Sequence, residues 1–242
     1  MSGYNNLYWS SEKMSELEKV VIVVGFDQKE AIAYHVFCQS IIDNTSLPVQ
    51  FIPLIPNTIN NYFEVHKDGS NSFIYSRFLT PHLMNYTGWA IFADGDMVCM
   101  DDIAELWKLR DPSKAILVVK HDYKTKASMK YLGAKNEDYP RKNWSSIILW
   151  NCEHPDNRLL TPDFIKSKDG AFLHRFKWLE DDKIGDLPIE WNWLAIEYPT
   201  RTDAKIIHYT LGTPCFLEYR ATDSAGEWLE AYNRMLEGFE KP

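Results

Sequence analysis

Cysteine is scarce in this sequence, and clustered positive charge is missing altogether. The four cysteines, Cys38, Cys99, Cys152 and Cys215, lie far apart with no CxxC spacing. That excludes a zinc framework and a dense disulfide scaffold, and leaves reduced cytosolic thiols as the expectation. Lysine and arginine total 26 against 34 aspartates and glutamates, a formal net charge of −8, and they form no basic block. General nucleic-acid binding depends on such blocks and is excluded on that ground. No stretch reaches membrane-spanning length. The opening "MSGYNNLYWSSEKMSELEK" lacks the basic-then-apolar order of a signal peptide. The expectation is a cytoplasmic protein without a transmembrane segment. Internal repeats, low-complexity tracts and linkers are missing too, so one compact unit over residues 19–242 is expected, behind a polar arm at 1–18.

What is present is apolar material in short, ordered pieces. Hydrophobic residues make up 45% of the 242, ample for a sizeable core. "KVVIVVGF" is a β-branched run ending in glycine and reads as a buried strand. "DQKEAIAYHVFCQSIID" follows with Ile32, Val36 and Ile41 at helical spacing. "LPVQFIPLI" predicts a second strand and "NSFIYSRFLTPHLM" a helix bent or restarted at Pro81. Then come "WAIFA" as strand, "DIAELW" as short helix and "AILVV" as strand. In the second half "NWSSIILWN" and "AKIIHYT" read as strands. "TPDFIKSKDGAFLHRFKWL" reads as a helix capped by Thr161 and weakened at Gly170. "SAGEWLEAYNRMLEGF" reads as a closing helix with a capping box, Ser224 with Glu227. Strands alternating with helices in this way predict an α/β domain with a largely parallel sheet.

In such sheets ligands sit beyond the carboxyl ends of the strands. "WAIFADGDMV" puts Asp94 and Asp96 at that edge, and "GFDQ" puts Asp27 there after the first strand. A lone D-x-D carries little weight, since about one is expected by chance in a chain of this composition. Its context between two apolar segments says more. Two unpaired carboxylates cannot be buried cheaply, so both are expected exposed, as a hard-oxygen site for Mg²⁺ or Mn²⁺ or as a plain solvated turn. Two chemistries fit a functional pair. It could hold a cation on a nucleotide-sugar diphosphate. Alternatively, "FADGDMV" resembles the first motif of haloacid-dehalogenase-like phosphatases, which would make Asp94 a nucleophile. In that family the motif ends the first strand, whereas here at least two strands precede it.

From Val20 to Trp107 the chain is similar to retaining glycosyltransferases of the GT-A type, most of all to glycosyltransferase family 8. "VVIVVGFDQKEAIAYHVFCQSIIDNTS" resembles that family's opening strand, nucleotide-facing turn and first helix. "YSRFLTPHLMNYTGWAIFADGDMVCMDDIAELW" resembles its arginine-bearing helix, strand, metal motif and short helix. "WLEDDKIGDLPIEWN" and "HYTLGTPCF" match later motifs more loosely.

The resemblance implies a GT-A fold, in which residues 19–120 hold the nucleotide-sugar and 121–242 face the acceptor and carry the C-terminal helix. It implies Asp94, Asp96 and His208 as ligands of Mn²⁺ (or Mg²⁺), with Gly25, Phe26 and Asp27 facing the base and ribose. Arg77 and Gly95 complete the donor site, Arg77 contacting the donor or orienting Asp94. Asp181 and Asp182 align with the acid–amide pair beside the reacting sugar, although an amide is expected at the second position. Where the family carries a basic residue to reach the diphosphate, this chain has Thr213. Arg201, Lys205 and Arg220 are the candidates to replace its charge. The expected activity is transfer of a hexose from a nucleotide-sugar, UDP-linked, to a carbohydrate or other hydroxyl acceptor with retention. A nucleotidyltransferase is the further alternative, but the glycine- and lysine-rich phosphate loop it would need is missing at "GFDQKEA".

Overall fold

The computed structural model describes residues 18–69 and 71–240. The arm expected at 1–18 lies outside them except for Glu18. Among the described residues nine strands and six α-helices follow one another: β1 (Val20–Gly25), α1 (Ala31–Asn44), β2 (Val49–Leu54), α2 (Thr80–Leu83), β3 (Trp89–Ala93), β4 (Met97–Cys99), α3 (Ile103–Trp107), β5 (Ile116–Val118), β6 (Ile147–Asn151), α4 (Pro162–Lys166), α5 (Gly170–His174), β7 (Ile184–Asp186), β8 (Trp193–Leu194), β9 (Ile206–His208) and α6 (Ala225–Glu240).

Six strands form the central sheet in the order β2-β1-β3-β6-β5-β7. β1 is parallel to β2 and β3, and β5 is parallel to β7; β6 lies antiparallel between β3 and β5. All but β6 therefore run the same way, and their carboxyl ends share one edge. Alternate side chains enter two cores: Val21, Val23, Phe92, Ile148 and Trp150 on one face, Ile22, Val24, Ile91 and Leu149 on the other. A sheet covered on both faces explains why its strands read as unbroken apolar runs.

A second sheet, β4-β9-β8, stands beside the first. Its outer side meets α6, whose Trp228 and Ala231 are buried with Val98, Ile207 and Val36. An Arg234–Asp43 ion pair of 2.7 Å ties α6 to α1. Among the described residues no helix is long and apolar enough to cross a membrane.

Three helix readings need correction. "NSFIYSRFLTPHLM" restarts at Pro81 as expected, since proline has no N–H to continue an earlier helix, but the part before it is only a 3-10 turn, Ser76–Leu79, and α2 is four residues long. Thr161 caps α4 as expected, accepting from Phe164 N at 3.2 Å. The helix then stops, and Asp169 starts α5 by accepting from Phe172 N at 2.7 Å. Finally, Ser224 sits at φ 63°, not in the extended conformation that a capping residue adopts.

Candidate metal and sugar-transfer site

The segment Asp94-Gly95-Asp96 is the crossover between the two sheets. It leaves β3 with Asp94 N bonded to Ser146 O at 2.8 Å and enters β4 with Asp96 O accepting from Tyr209 N at 2.9 Å. Antiparallel pairing of Met97 with His208 brings the end of β9 alongside. A residue more than a hundred positions away thus joins the two aspartates. Gly95 is needed for close approach: a Cβ there would lie 2.4 Å from Gly25 O, a backbone atom at the end of β1.

Neither aspartate is exposed, contrary to expectation; Asp94 is 8% exposed and Asp96 is largely covered. Compensating charge makes this tolerable. Arg77, 4% exposed, brings Nη1 within 2.8 Å of Asp94 Oδ1 while bonding Ile74 O and Ser145 O, and its guanidinium lies over the rings of both Phe73 and Phe92. His208 Nε2 is 3.3 Å from Asp96 Oδ1 and 3.9 Å from Asp94 Oδ2. Burial, with Asp96 beside it, still raises the pKa of Asp94 to about 6 against the pull of Arg77 and His208. For Asp96 burial works the same way, but His208 and Lys130 prevail and its pKa is lowered.

The histidine is held in one tautomer. Asn192 Nδ2 donates to Ser146 Oγ at 2.8 Å, so its Oδ1 faces His208 Nδ1 at 3.0 Å. That oxygen can only accept, which keeps a proton on Nδ1, so the ring in its neutral form presents its lone pair at Nε2. Asp94 Oδ1 and Asp96 Oδ1 are buried and accept no aligned hydrogen bond. The three residues each offer one ligand atom, all within 4.8 Å of one another. Two carboxylate oxygens and an imidazole nitrogen with free lone pairs fit a divalent cation such as Mn²⁺ or Mg²⁺.

These groups line a cleft of ≈ 520 Å³ together with Arg77, Lys130, Tyr139, Ser145 and His174. Gly25, Asp27 and Gly95 border a smaller recess beside Asp96, with Glu30. Asp27 is fixed there by accepting from Lys29 N and Ser72 N, both at 2.9 Å. Phe26 does not border the recess; its ring packs edge-on against Tyr34. Glu30 receives the Tyr131 hydroxyl, and burial with the neighbouring Asp96 raises its pKa to about 8.

The structure does not bring Asp181 and Asp182 to the cleft. They precede the first residue of β7, whereas Asp94 follows the last residue of β3, in strands that run the same way. Both are exposed and paired, Asp181 with Arg141 at 2.6 Å and Asp182 with Lys183 at 3.1 Å. The three candidates for the missing basic residue are also engaged elsewhere. Arg201 pairs with Asp203, Lys205 with Asp101 at 2.8 Å, and Arg220 Nε donates to Pro214 O at 3.3 Å. Beside Arg77, a second cation lines the cleft, Lys130, which the sequence reading missed. It lies in a long loop between β5 and β6, where no periodicity marks one lysine above another. His174 was missed for a similar reason. Its Nδ1 is 2.6 Å from Ser145 Oγ, and burial lowers its pKa to about 3.

Residues 11–153 match the family model for glycosyl transferase family 8. "Protein CDI" of Arabidopsis thaliana is 43% identical over 232 residues, covering 91% of this chain and 90% of that protein. Among solved structures, the WbbM bifunctional glycosyltransferase superposes with a TM-score of 0.59 at 17% identity, over 90% of this chain and 50% of that one. GlyE of Streptococcus pneumoniae gives 0.57 at 14%, over 91% of this chain and 63% of that one. Mouse xyloside xylosyltransferase 1 gives 0.53 at 12%, over 81% and 99%. This chain thus spans half of WbbM and less than two thirds of GlyE. At these identities the structural likeness establishes the fold, which is that of GT-A glycosyltransferases.

Proposed function

Because the chain belongs to glycosyl transferase family 8 and is a glycosyltransferase, we propose that it moves a hexose from a UDP-linked donor to an acceptor hydroxyl, with retention and with a divalent ion at Asp94, Asp96 and His208. The observation that carries this reading is the Asp–Asp–His cluster, with one ligand atom from each residue within 4.8 Å of the others, a buried Asp96 Oδ1 that accepts no hydrogen bond, and a histidine held with Nδ1 toward Asn192. When bound, the ion would supply positive charge to the departing diphosphate.

The chain's own residues do the rest. Arg77 neutralises Asp94 and holds its carboxylate toward the cleft. Asn192 keeps His208 ready to ligate. Lys130 adds a cation where negative charge builds up as the sugar departs, and its pKa is lowered by burial against the pull of Asp96 and Asp94. Among the described residues the only carboxylates lining the ≈ 520 Å³ cleft are Asp94 and Asp96, both committed to the cluster. We therefore assign no carboxylate nucleophile. The acceptor oxygen bonds to the anomeric carbon as the bond to the diphosphate oxygen breaks, and its proton passes to that oxygen on the same face of the sugar. A cytosolic setting belongs to this reading and is supported by four free thiols, three of them buried.

The test is calorimetric titration of UDP with Mn²⁺, repeated with EDTA and on Asp96→Ala. Metal-dependent binding that disappears in the variant is the expected result. No UDP binding under any condition would overturn the proposal.

A further inference from the structure

Beside the Asp94–Asp96–His208 cluster the cleft opens into a wider groove of ≈ 1640 Å³, and Ile74, Lys130, Tyr139 and His174 line both. The groove carries Lys130, Lys135, Lys142 and Arg175 against two acids, Asp68 and Glu137. Asp68 is already occupied, accepting the Tyr75 hydroxyl at 2.9 Å. Among the described residues none of the four cations is in an ion pair, whereas Arg110, Lys120, Lys166 and Arg234 elsewhere each meet a carboxylate within 3.0 Å.

Two of the four are also withdrawn from water. Lys142 is 6% exposed, and its ammonium has only neutral acceptors, Asn136 Oδ1 at 2.6 Å and Glu137 O at 2.9 Å. Burial, with Lys130 adding to it, lowers its pKa to about 8. Arg175 Nε is buried with no acceptor at all. On a chain of net charge −8, four cations gather in this groove without an ion pair, and although Asp96 and Asp94 pull on Lys130, it and Lys142 repel each other. An anion between them would relieve both the repulsion and the unsatisfied donor through charge-assisted hydrogen bonds.

We infer that this groove is the acceptor site and that it takes an acceptor bearing a phosphate or carboxylate group apart from the hydroxyl that receives the sugar. The inference rests on the reading of the metal cluster as the donor site. Lys135 and Arg175 hold the anion, Lys142 adds charge from beneath, and the half-exposed Tyr139 offers a ring face to the sugar body. A neutral acceptor would shut water away from Lys142 and Arg175 and return nothing.

Glucose 6-phosphate, glucuronate and glucose are matched probes for calorimetric titration into the full chain with Mn²⁺, with and without saturating UDP. One or both anions should bind about tenfold or more tightly than glucose, the worth of a charge-assisted hydrogen bond. They should bind as well with UDP present as without it. The advantage should vanish in Lys135→Gln/Arg175→Gln, or shrink in the exposed single change Lys135→Gln should the double variant lose its thermal transition. The ranking of the two anions tells a phosphate acceptor from a carboxylate one. Equal binding of all three probes, an anion preference that the variants leave intact, or displacement of the anion by UDP would each overturn the inference. UDP binding to the wild type without any anion preference sinks the acceptor inference alone. Absence of UDP binding sinks the donor reading and this inference with it.

Discussion

Asp94 with Asp96 and Asp181 with Asp182 are two short acidic pairs that look much alike as text and sit in opposite surroundings. The first pair is buried at the crossover between two sheets, facing Arg77, His208 and Lys130. The second is in a 3-10 turn at the surface, each carboxylate held by one nearby cation in water. Burial makes the difference. An exposed aspartate is solvated and needs nothing, whereas a buried one persists only where the fold supplies opposite charge or a ligand. The compensating groups around a carboxylate therefore mark a site better than the carboxylate does.

The comparison breaks most sharply if removing the buried pair is harmless. Asp96→Ala should lower sugar transfer by at least about 10²-fold, the scale on which removing a group aimed at developing charge acts. Release of UDP from a UDP-sugar in the presence of Mn²⁺ is the measurement, and retained activity would detach the cluster from catalysis. Arg77→Met should cost ~3–5 kcal/mol in urea unfolding, because it strands the charge of Asp94. Adding Asp94→Asn should return much of that loss, and a simple sum of the two single effects would show that the pair is not coupled.

Smaller effects sharpen the contrast. Asn192→Ala frees the tautomer of His208 without touching a ligand atom, and Mn²⁺ affinity should fall about 10–100-fold. Glu30 provides a test by pH. Its folded pKa, about 8, lies above the ordinary carboxyl value of 4.5, so the folded state binds more protons between those values. Stability falls as pH rises through that window. Glu30→Gln, which keeps a partner for the Tyr131 hydroxyl, should show a Tm advantage in metal-free protein that grows from pH 5 to pH 8; a constant difference would refute the assignment. The smallest effect belongs to the surface pair. Asp181→Ala and Asp182→Ala should each shift stability by under about 1 kcal/mol and leave sugar transfer within twofold. A large loss of transfer would show that the turn moves toward the donor.

Local pattern was enough for much of the framework. The strands β1, β3 and β6 were legible because a sheet covered on both faces demands unbroken apolar runs of strand length. α1 was legible from its periodicity, and Asp94 and Asp96 from their position just past a strand. The short pieces were not. Segments 71–84 and 161–179 have the apolar content of helices, yet their backbone hydrogen bonds are interrupted at Pro81 and at Ser167–Asp169, and packing rather than propensity sets where they restart.

Residue order and spacing carried the alternation of strands and helices, the two aspartates at a strand end, and the family resemblance that singled out His208. The packed fold is what covers those aspartates and sets Arg77 and Asn192 to hold the cluster in place. It alone placed Lys130 and His174 in the cleft and Asp181 and Asp182 outside it. The reason is range: periodicity and capping act over a few residues, whereas the electrostatics of a buried carboxylate depend on groups that only the paired sheets bring together.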